Sequence, residues 1–156
     1  MINHNLTVPQ QRKILTTFRL FEEALRNTDR LIVDGDRKCI LYSFRTNLST
    51  KKNELIRSKI KETLSYLAIV SKELELKPRE YSIERIIKSE MSLCWESLEE
   101  CRPKRMKGYG EYPLHNKESI ESMIDHLTGS INFITALADN EILENDLEIF
   151  DEGHTG

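Results

Sequence analysis

Residues 52–76, KNELIRSKIKETLSYLAIVSKELEL, constrain the fold more than any other stretch. Ile56, Ile60, Leu64, Leu67 and Leu74 recur at helical spacing, with Val70 beside them, and neither Pro nor Gly interrupts the run. Apolar residues three and four apart make one stripe of an amphipathic helix. The polar positions are mostly Lys, Glu and Ser, as suits a solvated outer face. Such a helix needs neighbours to cover its stripe, and the rest of the chain reads as three or four further helices that can do so.

The first of these starts after Thr7. Thr7 and Gln10 have capping-box spacing, and Pro9 is tolerated in a first helical turn. Ile14, Phe18, Phe21, Leu25 and Ile32 form its stripe, while Leu20, Ala24 and Leu31 fall on another side. A helix that is apolar on two sides has neighbours on two sides. Gly35 ends it, because glycine takes the left-handed conformation cheaply. Ile40, Leu41, Phe44 and Leu48 suit a short second helix, with a break between Asn47 and Thr50. Asp-Gly followed by the strand-like run Cys39–Phe44 is also a hairpin signal. The helix reading is preferred because the first flank belongs to a long helical pattern. Lys77-Pro78 closes the central helix. Ser82 caps the next, whose stripe is Ile83, Ile87, Met91, Cys94, Leu98 and Cys101, with Ile86 and Leu93 flanking and Trp95 at its edge. Asn116 caps the last, with Ile120, Ile124, Leu127, Ile131, Ile134 and Ala138 as its stripe.

The expected fold is therefore all-α: an up-and-down-type bundle of four main helices plus a short extra helix, over residues 1–138. Residues 139–156 are an acidic tail, disordered or one short helix. No run of about 18 apolar residues is present, so no spanning helix is expected, and the N-terminus lacks an apolar signal-peptide core. Cys39, Cys94 and Cys101 form neither a CxxC pair nor an even framework, which suggests reduced core thiols and a cytoplasmic location.

Charge is divided unevenly. Residues 1–107 hold 22 Lys and Arg against 15 Asp and Glu, a balance of +7; residues 108–156 hold Lys117 alone against 11 acids, a balance of −10. An asymmetry of this kind suggests an electrostatic partner or an acidic end that shields the basic part. The loop RPKRMKGYGEYPLHN concentrates the cations: Arg102, Lys104, Arg105 and Lys107 can meet phosphates, and Tyr109 or Tyr112 can stack on a base. The loop 102–109 is thus a candidate site for a polyanion or a protein partner.

Catalytic patterns are few. A di-metal carboxylate bundle needs paired Glu-x-x-His motifs, and zinc needs grouped Cys and His. Neither set occurs, and no phosphate loop or nucleophile elbow is visible, so neither cofactor nor metal is expected. Asp125-His126-Leu127-Thr128-Gly129-Ser130 resembles the phosphate-accepting helix of histidine phosphotransfer domains, which are also four-helix bundles with an exposed His. The family's pattern is His-x-Leu-Lys-Gly. Here Gly129 follows His126 by three residues rather than four, and Thr128 stands near where a phosphate-holding Lys would be. That resemblance implies a phosphotransfer role for His126 as a minor alternative.

These features favour a non-catalytic protein–protein interaction or regulatory protein that is homodimeric, without membrane contact. Leu20, Leu31, Leu55, Tyr66, Ile69 and Phe133 form the second apolar set and are the candidate dimer interface. The alternative is a nucleic-acid-binding accessory protein that uses the basic loop.

Overall fold

In the computed structural model, which describes residues 6–111 and 113–139, the fold is all-α: four main helices and one short 3-10 turn, with a minimal β-ladder between the first two helices. The chain divides into two compact units, residues 1–79 and 80–156.

The first unit is built on helix α1 (Val8–Asp34) and helix α2 (Thr50–Glu73). Thr7 and Gln10 close the capping box reciprocally, and the Gly35 amide donates to Leu31 at the other end, with φ at 59°. The segment after Gly35 is a β-hairpin, which corrects the helix expected over 40–48. Strand β1 (Arg37–Lys38) pairs antiparallel with strand β2 (Ser43–Phe44), with Arg37 opposite Phe44. Side chains make the difference there. The Arg37 guanidinium lies 4.3 Å from the centre of the Phe44 ring, Tyr42 meets Phe44 edge-on, and Asp36 accepts from the Thr46 amide. The cross-strand contacts of Arg37 with Phe44 and of Asp36 with Thr46 outweigh the helical spacing of Ile40, Leu41 and Phe44. Ser49 then caps α2 by accepting from the Lys52 amide.

Helix α2 ends at Glu73, before the expected Lys77-Pro78 stop. Leu76 donates to the Ser71 carbonyl and Glu75 to that of Lys72, while Glu75 takes a φ of 52°. That is a Schellman closure with a glutamate where glycine is favoured. Across the hairpin, Arg57 Nε donates to Asp29 Oδ1 at 2.7 Å, tying the start of α2 to the end of α1 in an antiparallel pair. Half-buried positions on α1 include Leu15, Phe18, Glu22, Leu25, Asp29 and Ile32; on α2 they include Asn53, Ile56, Thr63, Leu67 and Val70, around buried Ile60. Steps of three and four residues make this the seam of a helix pair in coiled-coil-like packing.

The second unit pairs helix α3 (Ile83–Glu100) with helix α4 (Leu114–Ala138). Ser82 caps α3 as expected. Helix α4 starts at Leu114 behind Pro113, so Asn116 lies within its first turn and is not the cap. A proline loses nothing at a helix start, where its missing amide would have had no helical partner. The connection contains the 3-10 turn Met106–Tyr109, so the extra helical element lies here and not between α1 and α2. Lys88 bonds Asp139, and Arg102 reaches Glu121 and Asp125, which fixes an antiparallel pair from both ends. The seam on α4 is Glu121, Ile124, Thr128, Ile131, Thr135 and Ala138; on α3 it includes Ile87, Met91 and Leu98.

The seams correct the core assignments. Leu127 and Ile134 on α4, and Ile83, Cys94 and Cys101 on α3, are exposed, as is Phe21 on α1. The cysteines are free thiols, but Cys94 and Cys101 are not core residues. A pair of helices covers only one stripe on each partner, whereas the assigned stripes were wide enough to touch two neighbours.

Candidate interaction surfaces

Each hairpin carries a second apolar stripe roughly a quarter-turn or more from its seam at 3.6 residues per turn. On α1 it runs through Leu20, Phe21 and Leu31, and on α2 through Leu55, Tyr66 and Ile69; all are exposed, Tyr66 at 68% and Leu55 at 60%. Residues advance clockwise along one helix of an antiparallel pair and anticlockwise along the other when both are viewed from one end. With that sense, both stripes fall on the same side of the first hairpin. Five of the six expected interface residues therefore share one face.

The sixth, Phe133, lies on the second hairpin. With Asp125, His126, Gly129, Ser130 and Ile134 it lines a shallow depression of about 500 Å³. His126 is exposed there, as the phosphotransfer resemblance requires, and Ser130 donates to its carbonyl oxygen. The second hairpin has its own apolar side, which the sequence reading missed: Ile83, Ile86 and Leu93 of α3 and Met123, Leu127 and Ile134 of α4 are exposed. The signal was available in the repeat Ile120, Met123, Leu127, Ser130, Ile134, Leu137, whose three-four spacing is a stripe separate from the one through Ile124 and Ile131.

Full burial is scarce. Ile60 and Ile124 are the buried apolar side chains among the described residues, at 7% and 4% exposure, together with Thr128 and Pro103. Thr128 satisfies its hydroxyl by donating within its own helix, to the Ile124 and Asp125 carbonyls.

The basic loop is split by the structure. Arg102 belongs to a clamp and is not a cation awaiting a ligand. Its Nε and Nη2 bond Glu99 at 2.9 and 2.7 Å, and its Nη1 reaches Glu121 at 2.6 Å and Asp125 at 2.9 Å. The guanidinium is held further above its ordinary value, chiefly by Glu99 and then by Glu121 and Asp125. In turn its hydrogen bonds pull the Glu99 carboxyl down. Lys104 and Lys107 border a cavity of about 630 Å³ with Pro103, Gly110, Glu111, Glu121 and Lys117. Lys117 is the addition that sequence reading missed, since it lies on α4 beyond the loop. Arg105 and Tyr109 are exposed; Tyr112 lies outside the described residues.

Among the described residues, no group of three His, Cys, Asp or Glu is placed to hold a metal ion, and no helix is long and apolar enough to cross a membrane. No family model matches the chain, and neither a curated protein nor a solved structure shows significant similarity to it.

Proposed function

We propose that this is a non-catalytic interaction protein that works as a homodimer, with the apolar side of the first hairpin as its principal contact. The carrying observation is the contrast between Ile60, the buried apolar side chain of that hairpin, and the exposed set Leu20, Leu31, Leu55, Tyr66 and Ile69 on one side of it. A helix pair with so small a core gains little from folding alone, because small units bury a low fraction of their surface. Packing a second copy against that side would complete a four-helix arrangement and bury both seams and stripes. Burial there contributes roughly 25 cal/mol per Å² of apolar surface, before the cost of association. An isologous contact presents the same patch from both copies, so one apolar face suffices. Free thiols at Cys39, Cys94 and Cys101 suit a reducing compartment such as the cytoplasm.

Sedimentation equilibrium at micromolar concentration tests the reading: a two-chain species is expected, and a single species of 18.3 kDa would refute it. Phe133, on the second hairpin, stays in the proposal as a separate apolar contact residue. The alternative of nucleic-acid binding draws support from Lys104, Lys107 and Lys117 around one cavity. A gel shift that weakens with salt and with Lys104→Glu/Lys107→Glu would favour it.

A further inference from the structure

The side of the first hairpin opposite its apolar face is a groove of about 1,030 Å³. Arg26 and Arg30 of α1 and Arg57 and Lys61 of α2 line it, over a floor that includes Val33 and Leu64. Two of the cations are already engaged, Arg26 with Glu22 and Arg57 with Asp29. The side chains of Arg30 and Lys61 make no hydrogen bond or ion pair among the described residues; only the Lys61 carbonyl accepts, from the Ser65 hydroxyl. The site therefore offers surplus positive charge along an apolar floor. Its lining holds no aromatic ring on which a base could stack, which argues against a nucleic-acid strand. Its chemistry matches a peptide in which acids alternate with apolar side chains.

This chain contains such a peptide. Residues 140–152, NEILENDLEIFDE, place Glu141, Glu144, Asp146, Glu148, Asp151 and Glu152 among Ile142, Leu143, Leu147, Ile149 and Phe150, with no cation. We propose that the groove docks the acidic segment 140–152 of a second copy, with Arg30 and Lys61 meeting its carboxylates and Val33 and Leu64 its apolar side chains. The charge division of the sequence, +7 before residue 108 and −10 after it, then becomes a device for mutual recognition. The inference rests on the self-association proposed above, but uses the opposite side of the hairpin.

The test uses the full chain with its own segment neutralised: Glu141→Gln, Glu144→Gln, Asp146→Asn, Glu148→Gln, Asp151→Asn and Glu152→Gln. A fluorescent synthetic peptide of residues 140–152 is titrated and followed by anisotropy. Saturable binding with a Kd below about 1 mM is expected, weaker at high salt. Arg30→Glu/Lys61→Glu should weaken it about tenfold, since two exposed pairs are lost and reversal adds repulsion. Arg30→Gln/Lys61→Gln should give a smaller loss and guards against a folding defect in the charge-reversed chain, checked by circular dichroism. A peptide with Leu147→Ser, Ile149→Ser and Phe150→Ser should also bind more weakly. Absent saturation, an unchanged affinity in both groove variants, or equal binding of the serine peptide would each overturn the proposal; the last would mean that charge alone attracts the peptide. Sedimentation of the unaltered chain separates the two readings. A monomer would sink the proposed dimer and with it the docking of a second copy, even if its neutralised form binds the peptide, whereas a dimer whose neutralised form does not bind the peptide would overturn the docking alone.

Discussion

Ile124→Ala tests the packing of the second hairpin most directly. Ile124 is 4% exposed, the lowest among the buried apolar residues. The substitution removes three carbons, worth about 0.8 kcal/mol each, or about 2.4 kcal/mol in transfer terms. A cavity term adds to this, and isoleucine-to-alanine changes in cores cost about 2–5 kcal/mol. Two effects pull the value toward the lower end. Most of the seam around Ile124 is half-buried and can close over a void, and alanine favours a helix by up to about 0.7 kcal/mol. The expected loss is about 2–3 kcal/mol, read by urea denaturation followed by far-ultraviolet circular dichroism. Leu127→Ala, one turn on and 49% exposed, should cost only about 1 kcal/mol if solvent covers that side. A loss under about 1 kcal/mol at Ile124, or a larger loss at Leu127 than at Ile124, would refute the assignment of the seam. In the first hairpin Ile60→Ala should exceed Leu64→Ala, because Leu64 is only half-buried.

Tyr66→Glu should shift the chain toward monomer in sedimentation more than Lys59→Glu, which only breaks the exposed pair with Glu62. Glu75→Gly should raise stability by about 1 kcal/mol in urea melts, because the residue sits at a φ of 52° in a left-handed helix cap. Glu99 is held below its ordinary 4.5 chiefly by the Arg102 hydrogen bond. Its contribution is therefore present in full above pH 4.5 and lost as pH falls through the lowered value. Thermal melts between about pH 2 and pH 6 should show a steeper acid loss for the unaltered chain than for Glu99→Gln.

Local codes carried much of the secondary structure. Thr7 with Gln10, Ser49, Ser82 and Gly35 set helix ends through hydrogen bonds to neighbours within a few residues, so the sequence displays both partners of each bond. The same holds for the all-α class, since the three-four repeat is a property of one helix. The hairpin at Arg37–Phe44 was present as a signal but was decided by the cross-strand contact of Arg37 with Phe44, against which Tyr42 packs from two residues before. Asn116 gave way to Pro113 because the chain enters α4 a turn earlier. What only the tertiary structure decided is which stripe each helix spends on its partner. Leu127 and Ile134 look equivalent to Ile124 and Ile131 along the sequence, but pairing buries Ile124, half-buries Ile131 and leaves Leu127 and Ile134 exposed. Arg102 is the sharpest case. Its place in a run of cations suggested a ligand site, yet three carboxylates, two of them on another helix, turn it inward as a clamp. Arg26, Arg30, Arg57 and Lys61 show the converse: no single helix presents all four, and only antiparallel pairing sets them along one groove. Periodicity fixes positions around one helical axis, whereas a site depends on how two axes are turned toward each other.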